Sequence, residues 1–173
     1  MRSSLAVALL TVSALVPDLP TPLRAQVVQH AAPPLPLLAL ALSELNFGQV
    51  LQGVRSSVSP RDPVHAGLFE VRGPANATVR VEFILPTSLS STEVEHPNPQ
   101  LPVSFGPGDG LAGPGRGAGD PQLPFDPHLP VIRNLSPDGH LYLRMGGTVN
   151  PGRPQAGGGY RAVIYMTVYS LGS

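Results

Sequence analysis

Three consecutive glycines, Gly157-Gly158-Gly159, run straight into Tyr160-Arg161-Ala162-Val163-Ile164-Tyr165-Met166-Thr167-Val168-Tyr169. The segment is rich in β-branched and aromatic side chains, which suit a pleated, half-buried surface. Tyr160, Ala162, Ile164, Met166 and Val168 share one face, and Arg161, Val163, Tyr165, Thr167 and Tyr169 share the other, the period of two that defines a strand. A strand over 160–169 commits the chain to a sheet. Two placements follow: the middle of a complete sandwich, or an edge that another chain extends.

The rest of the sequence repeats the same grammar. Val79, Val81, Phe83 and Leu85 alternate with Thr78, Arg80 and Glu82, predicting a strand over 77–85 with one wet face. Shorter strand candidates are 37–42, 54–58, 67–71, 101–105 and 141–149. Between them lie turn-forming residues: Ser59-Pro60-Arg61-Asp62-Pro63, Gly73-Pro74-Ala75-Asn76 and Ser136-Pro137-Asp138-Gly139. Roughly eight short strands with turns between them predict an all-β antiparallel β-sandwich. The strand over 141–149 and the terminal strand are expected to close it as a hairpin with a long glycine-rich tip. Residues 106–122 alternate Gly and Pro with small or acidic residues and are expected as a disordered loop inside the domain.

The N-terminus reads as a secretory signal over 1–25: Arg2 supplies the charge, residues 5–16 the apolar stretch, and cleavage is expected after Ala25. The competing reading is a retained anchor, although the apolar stretch is shorter than the roughly 20 residues a spanning helix needs. Residues 26–36 then form an extended segment, because Pro33, Pro34 and Pro36 are incompatible with helix. The sandwich domain occupies 37–173. The expected location is secreted, periplasmic or at the cell surface, with no membrane span in the mature chain. Cysteine is absent, so no disulfide supports an exported fold. The residues after Ala25 suffice to bury roughly two-thirds of the unfolded surface, so a core alone must hold them.

Composition and motifs narrow the chemistry. Formal net charge is zero and only 13% of residues are charged, so no basic tract tracks a phosphate backbone and no nucleic-acid partner is expected. Histidines 65, 96, 128 and 140 are scattered without zinc-site spacing, and Asp109, Asp120 and Asp126 lack the alternate-residue pattern of a calcium loop. There is no Gly-x-Ser-x-Gly elbow, and Gly113-Pro114-Gly115-Arg116-Gly117 lacks the βα unit of a phosphate loop. No catalytic residue, metal or cofactor is therefore assigned, and the chain is not expected to be an enzyme. The candidate surface for a partner or a glycan is Arg161, Tyr165 and Tyr169; the alternative is that these tyrosines pack between cross-strand neighbours, which is the commoner arrangement.

Three segments carry a family likeness: Leu42-Ser43-Glu44-Leu45-Asn46-Phe47-Gly48-Gln49-Val50; Phe69-Glu70-Val71-Arg72-Gly73 with Ala77-Thr78-Val79-Arg80-Val81; and Leu141-Tyr142-Leu143-Arg144-Met145-Gly146-Gly147-Thr148 leading to Gly159-Tyr160. In order and spacing, over about residues 37–171, they resemble the secreted bacterial domain of unknown function 4402. The resemblance implies an exported immunoglobulin-like sandwich similar in layout to fimbrial subunits, with no defined activity. It also implies strand addition between like subunits, or an export chaperone, as partners. In fimbrial assembly, an incomplete sandwich receives a strand from its neighbour. The departures from that pattern are the insertion at 106–122, a shortened stretch after Gly53, Gly172 where an aromatic is usual, and prolines interrupting the apolar residues Val27, Val28, Ala31 and Ala32.

Overall fold

The computed structural model describes residues 36–92 and 100–172, all within one compact unit of the chain. The expected signal 1–25, residues 26–35 of the N-terminal segment, and His96 lie outside the described residues. The strands among the described residues are β1 Leu38–Ser43, β2 Ser56–Val58, β3 Gly67–Arg72, β4 Thr78–Ile84, β5 Ser88–Ser91, β6 Gln100–Ser104, β7 Gly110–Gly113, β8 Leu123–Phe125, β9 Val131–Asn134, β10 His140–Met145, β11 Gly147–Val149, β12 Tyr160–Arg161 and β13 Tyr165–Gly172.

They assemble into three sheets, in the orders β1-β3-β10-β7-β8, β12-β5-β6-β11-β2 and β13-β4-β9, and every pairing is antiparallel. The all-β antiparallel architecture expected from the alternation is the one that forms. The first sheet supplies Phe69, Val71, Leu141, Leu143 and Met145 to the core. The other two supply Leu101, Val103 and Val149, and Val79, Val81 and Val131. The core therefore lies between the five-stranded first layer and a second layer split into two sheets. Alternation accounts for the inward set: on β4, Val79 and Val81 are buried while Arg80 between them is exposed.

Two chain segments change layers. β10 belongs to the first layer and β11 to the second, with Gly146 between them. A Cβ on Gly146 would sit 2.3 Å from the Val58 carbonyl oxygen, so only glycine fits the crossing. The second break corrects an expectation. The terminal strand is not continuous over 160–169: β12 pairs with β5, residues 162–164 leave the ladder, and β13 pairs with β4. The expected hairpin with 141–149 does not form either. β10 lies between β3 and β7, and β11 lies between β6 and β2, so neither offers the terminal strand an edge. β12 and β13 each end a sheet, which answers the question of placement in favour of an edge.

Residues 106–122 also depart from expectation. They are not one disordered loop but contain β7, an interior strand of the first layer whose four residues are all buried. The glycines there make room for neighbours, since a Cβ on Gly110 would lie 2.6 Å from the Phe125 ring. Aspartates then close the flanking turns. Asp109 Oδ2 accepts a hydrogen bond from the Gly106 amide and Asp120 Oδ2 accepts one from the Gly117 amide, both at 2.6 Å. β5, β8 and β9 were likewise not anticipated.

On the outer face of the first layer, the buried Arg144 of β10 fastens two loops. Its guanidinium donates to the Pro60, Asp62 and Arg116 carbonyls at 2.9, 2.8 and 3.2 Å. Arg144→Met keeps the apolar stem but leaves those three acceptors without their donor, and an unsatisfied buried acceptor costs about 1–3 kcal/mol. We expect a loss of about 2–4 kcal/mol, read as a lower urea midpoint at an unchanged m value, with amide exchange accelerating first in 60–66 and 115–120. An unchanged midpoint would show that the arginine anchors nothing.

Candidate functional site

The two layers do not close along the whole of one side. β1 ends the first layer and β12 ends a sheet of the second, and a groove of about 960 Å3 opens between them. Phe69, Leu101 and Val103 from the core line it. One wall is the segment after β1, where Leu45, Phe47 and Val50 face the core; the other is residues 155–164 with Tyr160 and Ile164. The Leu-x-Phe-Gly motif quoted above therefore builds a groove wall.

Hydrogen bonds fix the second wall before anything occupies the groove. The Gln155 side chain is buried; its Nε2 donates to the Tyr160 hydroxyl at 2.8 Å and to the Gln100 carbonyl at 3.3 Å. The Tyr160 hydroxyl donates to the Ala156 carbonyl at 2.9 Å, and the Thr92 amide donates to the Gly159 carbonyl at 2.8 Å. A cavity of this size, with an apolar floor and polar side chains such as Glu44, Asn46, Gln155 and Arg161 in its lining, has the character of a binding site. Its position between two sheet edges adds something most small-molecule pockets lack: backbone donors and acceptors running parallel to the groove. Alternation alone could not have revealed it, because the groove is bounded by which strands fail to meet.

The candidate residues Arg161, Tyr165 and Tyr169 do not form one ladder. Arg161 is in β12, paired with Ser90, and lines the groove. Tyr165 and Tyr169 lie on the outer face of β13, opposite Ile84 and Arg80 of β4. Both rings are largely exposed, at 61% and 47%. Four residues apart in a strand, they stand about 13 Å from each other. The Arg80 guanidinium sits 5.9 Å from the Tyr169 ring centre and pairs with Glu82 beside it, so a charged cluster flanks the second tyrosine.

A polar cluster on the outer face of the first layer was missed entirely. Glu70 is 1% exposed, an unusual position for a carboxylate. Its oxygens accept from Arg72 at 2.9 Å and His140 Nδ1 at 2.7 Å, and Tyr142 also bonds to it. The His140 and Tyr142 rings stack at 6.0 Å. Glu70, Arg72, His140 and Tyr142 look unrelated in sequence. Only the register, Tyr142 opposite Glu70 and His140 opposite Arg72, brings them together. The other described histidines are similarly engaged, His65 with Asp62 and His128 with the Phe105 carbonyl. Among the described residues, no three His, Asp or Glu side chains gather as a metal group, and no helix is long and apolar enough to cross a membrane.

The chain matches no protein-family model and no curated protein. The likeness to domain 4402 therefore rests on the three quoted segments themselves.

The Arg72 guanidinium holds the Glu70 carboxyl at about 2, well below its ordinary 4.5, with His140 and Tyr142 helping and burial opposing. A carboxyl depressed in the folded state stabilises the fold fully above its unfolded value, and that contribution fades as pH falls from about 4.5 toward 2. Glu70→Gln should lower stability at pH 7 by about 1–3 kcal/mol and flatten the acid limb of the stability profile across that window. Urea titrations at a series of pH values test this; parallel profiles for the variant and the parent would refute it.

Proposed function

We propose that this protein is an exported, non-enzymatic structural β-sandwich that joins like subunits by accepting an extended apolar segment into the groove between β1 and β12. The observation that carries the reading is the groove itself: it reaches core side chains between two sheet edges, with one wall already set by hydrogen bonds. A strand laid there would gain main-chain pairing from an edge and bury alternate side chains against Leu101, Val103 and Phe69. Residues 26–35 of a neighbouring copy are the proposed occupant. They carry no Arg, Asp or Glu, include Val27, Val28, Ala31 and Ala32, and span about 33 Å when extended, longer than β1. The likeness to domain 4402, its fimbria-like layout and the expected signal over 1–25 support export to the periplasm or cell surface.

A second reading, a soluble glycan- or protein-binding module, is favoured by one observation: Tyr165 and Tyr169 are exposed on one face beside Arg80. Loss of glycan-array binding in a Y165A/Y169A double variant would support it.

The absence of cysteine makes the subunit reading directly testable. In a chain carrying V28C with A156C, oxidation should give a ladder of covalent multimers on a non-reducing gel. Either substitution alone should give dimers at most. A double variant that stays monomeric, or links only within one chain, overturns the proposal.

A further inference from the structure

The exposed face of the terminal segment reads the same in both directions about Thr167. Within β13, Tyr165, Thr167 and Tyr169 give Tyr, Thr, Tyr at alternate positions, before the irregularity that follows Ser170. All three side chains are exposed. β13 pairs with β4 on one side, and its other edge has no ladder partner among the described residues. Natural edge strands are commonly blunted by charge, proline, bulges or shortness. The other described edges show such devices. β9 follows Pro130 and carries Arg133, β8 contains Pro124, β2 has three residues, and β12 has two, one of them Arg161. β13 has eight residues with neither charge nor proline, and its single irregularity falls near its end, after Ser170. β1 is also uncharged, but it is shorter, at six residues, and its Leu and Ala have weaker strand preference.

We propose that β13 is a self-recognition edge: two copies of this chain pair their β13 strands antiparallel about a two-fold axis at Thr167, merging two three-stranded sheets into one of six. Antiparallel self-pairing centred on that residue sets Thr167 opposite Thr167 of the partner subunit. It also sets Tyr165 opposite Tyr169 of the partner subunit twice. Thr–Thr and aromatic–aromatic pairs are among the favourable cross-strand combinations, and no like charges meet. An isologous contact closes on itself, so the product is a dimer and not a fibre. Three strands is below the usual sheet size and six is ordinary, so the dimer also removes the least protected ladder of the fold. The pairing uses the edge of β13, which leaves the Arg80–Tyr169 contact on the sheet face in place. β13 begins after the groove wall ends at Ile164, so the pairing uses backbone outside the groove lining.

Two variants of the full chain test this. Thr167→Cys introduces a single thiol, because the chain has no cysteine of its own. Opposed residues of an antiparallel pair have Cα atoms about 4.5–5.5 Å apart, inside the range a disulfide bridges. T167C should oxidise to a covalent dimer at least tenfold faster than L123C, an exposed control on β8. Thr167→Lys sets two ammonium groups against each other. Light scattering after size exclusion should show a dimer for the parent and a weakening of at least tenfold in dimer affinity for T167K, with far-UV circular dichroism unchanged. A parent that is monomeric at every concentration, T167C cross-linking no faster than L123C, or a T167K dimer as tight as the parent each overturns the proposal. The ladder formed by V28C with A156C must survive T167K. Its loss on its own account, with T167C dimers intact, would refute the groove reading and leave this one standing.

Discussion

Phe83 holds the two layers together. It projects from β4 in the second layer and meets Phe69 edge-on at 5.5 Å and Phe125 stacked at 6.0 Å, both from the first layer. With no disulfide in the chain, cohesion between layers depends on side-chain packing of this kind, and aromatic pairs add about 0.5–1.5 kcal/mol each beyond their buried area. The geometry explains details that otherwise look arbitrary. Gly110 is glycine because the Phe125 ring occupies the space a Cβ would need. Phe69 is shared: it packs against Phe83 and also lines the groove, as do Leu101, Val103 and Phe105 of the same core. Among the described residues, no aromatic pair of this kind spans β1 and β12, and there the layers stand apart.

The outer face of the first layer uses the opposite device. Arg144 and Glu70 are both buried and both charged, which is tolerable only because each finds several hydrogen-bond partners. Arg144 spends its donors on backbone carbonyls of two loops, and Glu70 receives Arg72, His140 and Tyr142. The first arrangement organises the loops over β10 and β7; the second ties β3 to β10 at the far end of the same strand. A Pro- and Gly-rich chain thereby gains order in its loops without a larger core. The segment 106–122 is the clearest case, since it reads as unstructured yet is pinned by Arg144, Asp109 and Asp120.

Legibility in the sequence tracked how local the determining forces are. β4 and β6 declare themselves because their side chains alternate between core and solvent, and β3 and β10 because apolar core residues alternate with polar ones such as Glu70 and Arg144. β7 was hidden because Gly-Leu-Ala-Gly is buried on both faces and its glycines answer to neighbours far away in sequence. β5 and β8 are too short to show a period. The terminal segment is two-faced strand over 165–169, as its alternation indicates, but the expected continuous strand over 160–169 breaks at 162–164. Its partner was misjudged, because alternation fixes a face but carries no information about which edge is vacant. The groove and the Glu70 cluster were illegible for the same reason: each exists only through register and strand order.

The edges therefore deserve more weight than the faces in assigning a role to this fold. A face such as that of β4 neutralises itself, with Arg80 paired to Glu82 and leaning over Tyr169. An edge cannot do so, because its unpaired amides and carbonyls are fixed by the backbone whatever the side chains are. Side chains can only obstruct approach, and β13 carries none of the residues that do. β1, which borders the groove, likewise ends its sheet. With so few charged residues in the chain and none on its longest edge strand, that strand's backbone is the least obstructed edge of this sandwich.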